Sequence, residues 1–141
     1  MKIKVFLIIA LILLASTACQ GFTPIGQDQL SGTEWVLVSI NTDTDLVGSP
    51  PSLVFEGDEL SGNASCNIYR GSYQVQGETL SLGPLARTEM YCQDPAGVMD
   101  QEDRYLEMLA AVDSFTLAGS SLTITGGGNI LEFQFRDNIQ E

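Results

Sequence analysis

The chain has 141 residues, with 18 Asp and Glu against 6 Lys and Arg, three cysteines and no histidine. Without histidine it cannot assemble a Ser-His-Asp or Cys-His arrangement, and a net charge of −12 repels nucleic acid phosphates and anionic lipid headgroups. Its length suits one domain with room for a core.

Residues 1–18, MKIKVFLIIALILLASTA, read as a signal peptide. Lys2 and Lys4 precede a charge-free run that ends in small residues and falls short of the about 20 apolar residues of a membrane span. Cys19 follows at once, so STAC reads as a lipobox whose cysteine is acylated and becomes the first mature residue. Ordinary cleavage after Ala18 is the alternative. Both lysines leave with the signal, and the four remaining arginines face all 18 acidic residues, a net charge of −14. Attachment to the membrane then rests on acyl chains rather than on a basic patch. A Ser-Lys pair or a lysine Schiff base is equally excluded. Residues 19–29, rich in Gly, Pro and Gln and without periodicity, form a tether. The domain proper is 30–141.

Short alternating segments follow, separated by turn residues. They are EWVLVSI (34–40), SLVFE (52–56), ELSGNAS (59–65), SYQVQ (72–76) and TLSLG (79–83), with ARTEM (86–90) as a further candidate. Gln76-Gly77-Glu78 predicts a tight hairpin. DPAGVMDQEDRYLEMLAAVDSF breaks the pattern and predicts one helix. Asp94 is its expected N-cap and Pro95 its first residue. Asp100, Glu102 and Asp103 lie early, where the helix dipole favours negative charge. Val98, Tyr105, Leu109 and Val112, with Leu106 and Met108, form an apolar core stripe. SFTLA, SLTIT and ILEFQF close the chain, divided by GSS and by GGGN, a turn with no following helix to cradle phosphate. The last segment places Leu131, Phe133 and Phe135 on its buried face. The expected fold is mainly β (α+β): about eight short antiparallel strands in a curved sheet or open barrel, with one helix packed on it.

Lipidation of Cys19 leaves Cys66 and Cys92. In an oxidising extracytoplasmic compartment such a pair predicts a disulfide, worth roughly 3–4 kcal/mol for a loop of this length. Two buried free thiols are the competing reading. A zinc site lacks histidine ligands, and a cysteine nucleophile lacks a partner base. Glu56, Asp58 and Glu59 cluster in a turn where water solvates them, so no glycosidase-like carboxylate pair is visible. Asn41, Asp43 and Asp45 have the alternating spacing of a calcium loop, but Leu46 and Ser52 stand where that loop needs Gly and Glu. No cofactor and no metal site is expected.

The pieces LSGTEWVLVSI, LVFEGDELSGNASCNIYRGSYQV, LARTEMYC, QEDRYLEMLAAVDSF and LEFQF, in this order, resemble the META domain, also called HslJ-like after a bacterial heat-shock lipoprotein. Many members of that family read Gly-Cys-Asn where this chain has Ser65-Cys66-Asn67. The resemblance implies a curved antiparallel sheet with one helix and an envelope or secreted location. It carries no catalytic mechanism. The fold is also similar in shape to a secretion-system pilot lipoprotein that holds acyl chains in its barrel, and shape does not set function.

Two functions follow as expectations. The first is a non-enzymatic envelope lipoprotein, palmitate-anchored at Cys19, that engages another envelope protein or supports the envelope under stress. It would sit on the outer membrane of a two-membrane host, or on the outer face of a single membrane. Asn67, Tyr69, Arg70 and Tyr73 are its candidate interaction residues, since Tyr and Arg are enriched at interfaces. Ordinary packing is the alternative for them. The second function is a carrier of an apolar small molecule or acyl chain, which needs a cavity between sheet and helix.

Overall fold

The structure is a computed structural model that describes residues 29–136. The signal peptide, Cys19 and the tether up to residue 28 lie outside the described residues. The described residues form nine strands: β1 (Thr33–Ile40), β2 (Ser52–Glu56), β3 (Glu59–Asn63), β4 (Ile68–Gln76), β5 (Thr79–Leu82), β6 (Ala86–Arg87), β7 (Ser114–Ala118), β8 (Ser121–Gly126) and β9 (Asn129–Phe135). Among the described residues one helix, α1 (Val98–Ala110), separates β6 from β7.

All pairings are antiparallel. The sheet runs β3-β2-β1-β9-β8-β7-β5-β4, and β3 also pairs with β4, so eight strands close into a barrel. The expected curved sheet is therefore a closed one. The short β6 lies outside the ring, as an extra neighbour of β4 through Tyr69↔Arg87 and Arg70↔Ala86. Closure removes the sheet edges that would otherwise template aggregation. Most seams are long, with six residue pairs between β8 and β9 and five between β3 and β4. The β5–β7 seam has one, Thr79↔Ser114.

Period-two alternation drives this arrangement. Along β8, Leu122, Ile124 and Gly126 point inward while Ser121 is exposed. Gly57 and Gly77, with φ of 62° and 64°, open the two-residue hairpins β2–β3 and β4–β5, a conformation that costs other residues steric strain. The interior is filled by side chains: Trp35, Phe55, Leu60, Phe115, Leu122 and Phe133 are each at most 5% exposed. Phe135, expected in the core, sits at its margin, 36% exposed and edge-on to Trp35 at 5.2 Å.

The helix lies across one mouth of the barrel. Gln101 Nε2 donates to the Val47 carbonyl (2.9 Å) in the β1–β2 loop and to Ser65 Oγ (2.9 Å) in the β3–β4 loop. A Cβ at Gly126 would lie 2.1 Å from the Ala111 carbonyl oxygen, so only glycine lets the end of the helix seat on β8. The helix begins later than the sequence predicts. Gly97 (φ 90°) precedes it without a side-chain cap, and residues 94–97 form a turn in which Val98 N–H donates to the Pro95 carbonyl (3.2 Å). Asp94 is thus not the N-cap. Strand boundaries move most at β4 and in ARTEM, and β3 ends at Asn63 rather than Ser65. β4 begins at Ile68 rather than Ser72, because Leu85 covers the place where Gly71 lacks a side chain and hides the alternation. Of ARTEM, only Ala86 and Arg87 pair as a strand.

Under the helix, Tyr105 and Tyr69 meet edge-on with their hydroxyls 2.7 Å apart, and Tyr69 donates onward to the Ser52 carbonyl (2.8 Å). Burial holds both phenols well above their ordinary ionisation range, and for Tyr69 the neighbouring Tyr105 adds to the effect. Below about pH 10, folded and unfolded chains both keep these protons and the full contribution is present. Above it only the unfolded chain releases them, so stability falls with rising pH by about 1.4 kcal/mol per unit for each tyrosine. Alkaline titration followed by tyrosinate absorbance and circular dichroism should show Tyr69 and Tyr105 ionising only together with unfolding. Early ionisation of all four tyrosines in folded protein would contradict this.

Candidate functional site

The helix stripe contains one charged residue. Val98, Glu102, Tyr105 and Leu109 recur at helical spacing, and all four are buried. Glu102 is 0% exposed. That position aims its carboxylate at the tight β3–β4 loop, residues 64–67, whose ends are tied by Ala64 N–H donating to the Asn67 carbonyl (2.7 Å). Oε2 accepts the backbone N–H groups of Cys66 (3.1 Å) and Asn67 (2.7 Å). Oε1 accepts Asn67 Nδ2 (2.7 Å) and Arg87 Nη1 (3.3 Å). Every partner is a donor, which is the hydrogen-bonding of a carboxylate.

Asn67 carries the network outward. Its Oδ1 accepts Thr88 Oγ1 (2.7 Å) and the Met90 N–H (2.7 Å), and its Nδ2 also donates to the Met90 carbonyl (3.0 Å). One side-chain amide thus holds both backbone groups of Met90 as a neighbouring strand would. Cys66 and Cys92 are joined by a disulfide, with Cα atoms 6.0 Å apart. Residues 88–97 therefore form a strap fixed to the barrel by an amide clamp and a crosslink two residues apart. Arg87, at the base of the strap, bonds Asp103 (2.6 Å), and this bond holds the proton on its guanidinium more firmly still. No buried side-chain polar atom among the described residues lacks a partner.

The strap presents apolar side chains to water. Tyr91 is 76% exposed and Met90 55%, and Ile68, beside Asn67 in the sequence, is 54% exposed. Next to them an open cleft of about 590 Å³ runs over β3, β4 and β6, lined in part by Ser61, Ile68, Arg70 and Thr88. Arg70 is exposed there and makes no salt bridge among the described residues.

The residues singled out in the sequence divide. Asn67 is buried in the clamp. Tyr69 is buried against Tyr105, and Tyr73 is buried edge-on to Phe55 at 4.8 Å with its hydroxyl donating to the Gly57 carbonyl (2.9 Å). Packing, not presentation, describes these three, and only Arg70 reaches solvent. Cys19 is outside the described residues. Among the described residues no three His, Cys, Asp or Glu side chains converge as metal ligands, and Asp43 instead accepts the Asp45 N–H (3.1 Å) within its own turn. Sequence reasoning missed Glu102 as the centre of the site. The signal was its place in the stripe, four residues after Val98 and three before Tyr105. Met90 and Tyr91 carried no signal, because exposure of a loop residue depends on what fixes the loop.

A closed eight-stranded antiparallel barrel, plugged by one helix and carrying a disulfide-fixed strap, is the class of protein defined here. The chain belongs to the META domain family, whose profile matches residues 28–138. It is similar to a protein from Burkholderia xenovorans solved by NMR, with 27% identity, a TM-score of 0.65, and coverage of 77% of this chain and 85% of that one. A second protein solved by NMR is 25% identical, with a TM-score of 0.65 and coverage of 79% and 96%. A DUF4847 family protein from Bacteroides vulgatus shares the fold at 12% identity and a TM-score of 0.59, with coverage of 80% and 97%. No curated protein matches the chain.

Ser65 has φ of 101°, a conformation that strains any residue with a Cβ and suits the glycine of Gly-Cys-Asn sequences. Its Oγ, which accepts from Gln101, offsets part of that strain. Ser65→Gly and Ser65→Ala both lose this bond, so their difference isolates the backbone: the glycine variant should be more stable by about 1 kcal/mol in urea denaturation. Equal stability would refute the strain. For the clamp itself, Glu102→Ala leaves several donors unpaired and should cost about 3–5 kcal/mol. Asn67→Ala should add much less to it than it costs alone, a coupling of roughly 1–3 kcal/mol. Additive losses would show that the two residues act separately.

Proposed function

We propose that this protein is a non-enzymatic lipoprotein of the cell envelope, acylated at Cys19, that holds a partner protein through the strap. The observation that carries the reading is a rigid apolar tip. Exposed Tyr and Met side chains are common interface anchors, and fixing them before contact removes ordering entropy from binding. Here a disulfide and a buried polar network are both used to fix a segment whose apolar side chains face water. Arg70 in the adjoining cleft supplies an exposed charge that makes no salt bridge among the described residues.

Two features favour holding over chemistry. The buried carboxylate is closed off by four donors, and no histidine is available to shuttle a proton. The filled barrel interior likewise favours a surface partner over an apolar ligand carried inside.

The test places a photo-crosslinking amino acid at Tyr91, or at Glu78 in the remote β4–β5 turn, of the full chain in growing cells. A discrete adduct is expected from position 91 and none from 78, and Cys19→Ser should release the protein from the membrane fraction and abolish the adduct. Equal adducts from both positions, or none from either, would overturn the reading.

A further inference from the structure

The strap brings one oxidisable sulfur to the surface in a domain that shields its others. Cys66 and Cys92 are already at the disulfide level. Met108 is half-buried and packed against the core. Met99 is half-buried, and its Sδ accepts the Cys92 N–H (3.5 Å), which draws on the lone pair that an oxidant attacks. Met90 differs from both. Its side chain is exposed, while its backbone N–H and carbonyl are both held by Asn67. A chemical change at its sulfur therefore happens outside the core, on a backbone position fixed independently of the side chain.

We propose that Met90 is a methionine sulfoxidation site, oxidised ahead of Met99 and Met108 by a hydroperoxide without loss of the fold. With a hydroperoxide, the thioether sulfur gives an electron pair to the terminal oxygen. An S–O bond forms as the O–O bond breaks, and the departing oxygen takes up the proton to leave as water or an alcohol. The sulfur is oxidised by two electrons and the peroxide reduced by two. The product is polar and chiral where the side chain was apolar, and a methionine sulfoxide reductase reverses it. Oxidation thus changes the face of the strap that points to solvent. The further consequence, that oxidation weakens docking, rests on the binding role proposed above, whereas the site itself does not.

Graded hydrogen peroxide on the intact full chain, followed by peptide mapping, tests this directly. Met90 sulfoxide should form about tenfold faster than sulfoxide at Met99 or Met108, as exposure dictates. The melting temperature should stay unchanged once Met90 is converted, and Met90→Leu should remove the fast phase alone. Comparable rates at the three methionines, or a fall in melting temperature that tracks Met90 conversion, would overturn the proposal. Crosslinking from position 91 in peroxide-treated cells is read separately: a lower yield supports the link to docking. An unchanged yield beside fast Met90 oxidation rejects that link and leaves the site standing.

Discussion

A single buried carboxylate ties the helix and the strap of this molecule to the loop that joins β3 and β4. Backbone pairing closes the ring, but β5 and β7 share one residue pair and two flanking backbone bonds, and the chain between them leaves the ring to form β6, the strap and the helix. Glu102 ties that excursion back. Its two oxygens reach the β3–β4 loop, the Asn67 side chain and the base of the strap at Arg87. An ion taken this far from water is costly unless its donors are in place, and removing one member of such a set costs more than the set contributes net. The arrangement therefore acts as a register pin. The helix can rotate or slide only by stranding a charge.

The rest of the site inherits its order from this pin. With Cys66 and Asn67 fixed by Glu102, one anchor sets the crosslink and the next sets the amide that grips Met90. The strap thus has few degrees of freedom although it belongs to neither sheet nor helix. Its apolar residues stay in solvent because the clamp uses the backbone and leaves the side chains out.

Much of the fold was legible in the sequence because strand alternation and hairpin glycines are local signals. Leu122 and Ile124, or the turn at Gly77, need no knowledge of distant residues. The shifted boundaries have local causes too. Gly71 erased the alternation of β4 because Leu85, from another segment, supplies its apolar cover. Asp94 carried the expected cap residue, yet the chain enters the helix through Gly97. The site was harder to see. Glu102 looked like one of several acids early in the helix suited to its dipole, and its burial depends on donors 35 and 36 residues away. Tyr69 and Tyr73 looked like interface residues by type, but alternation along a strand whose start was hidden placed both inside.

Hydrogen exchange tests the central role of Glu102 without altering the protein. The amide hydrogens of Cys66, Asn67 and Met90 lie in loops with no strand partner, so ordinary loop behaviour would exchange them quickly. If a buried carboxylate and its asparagine organise this region, all three should be protected to the level of neighbouring barrel strands and open only with the helix. Exchange at the rate of exposed turn amides, while the strands stay protected, would show that the clamp does not hold.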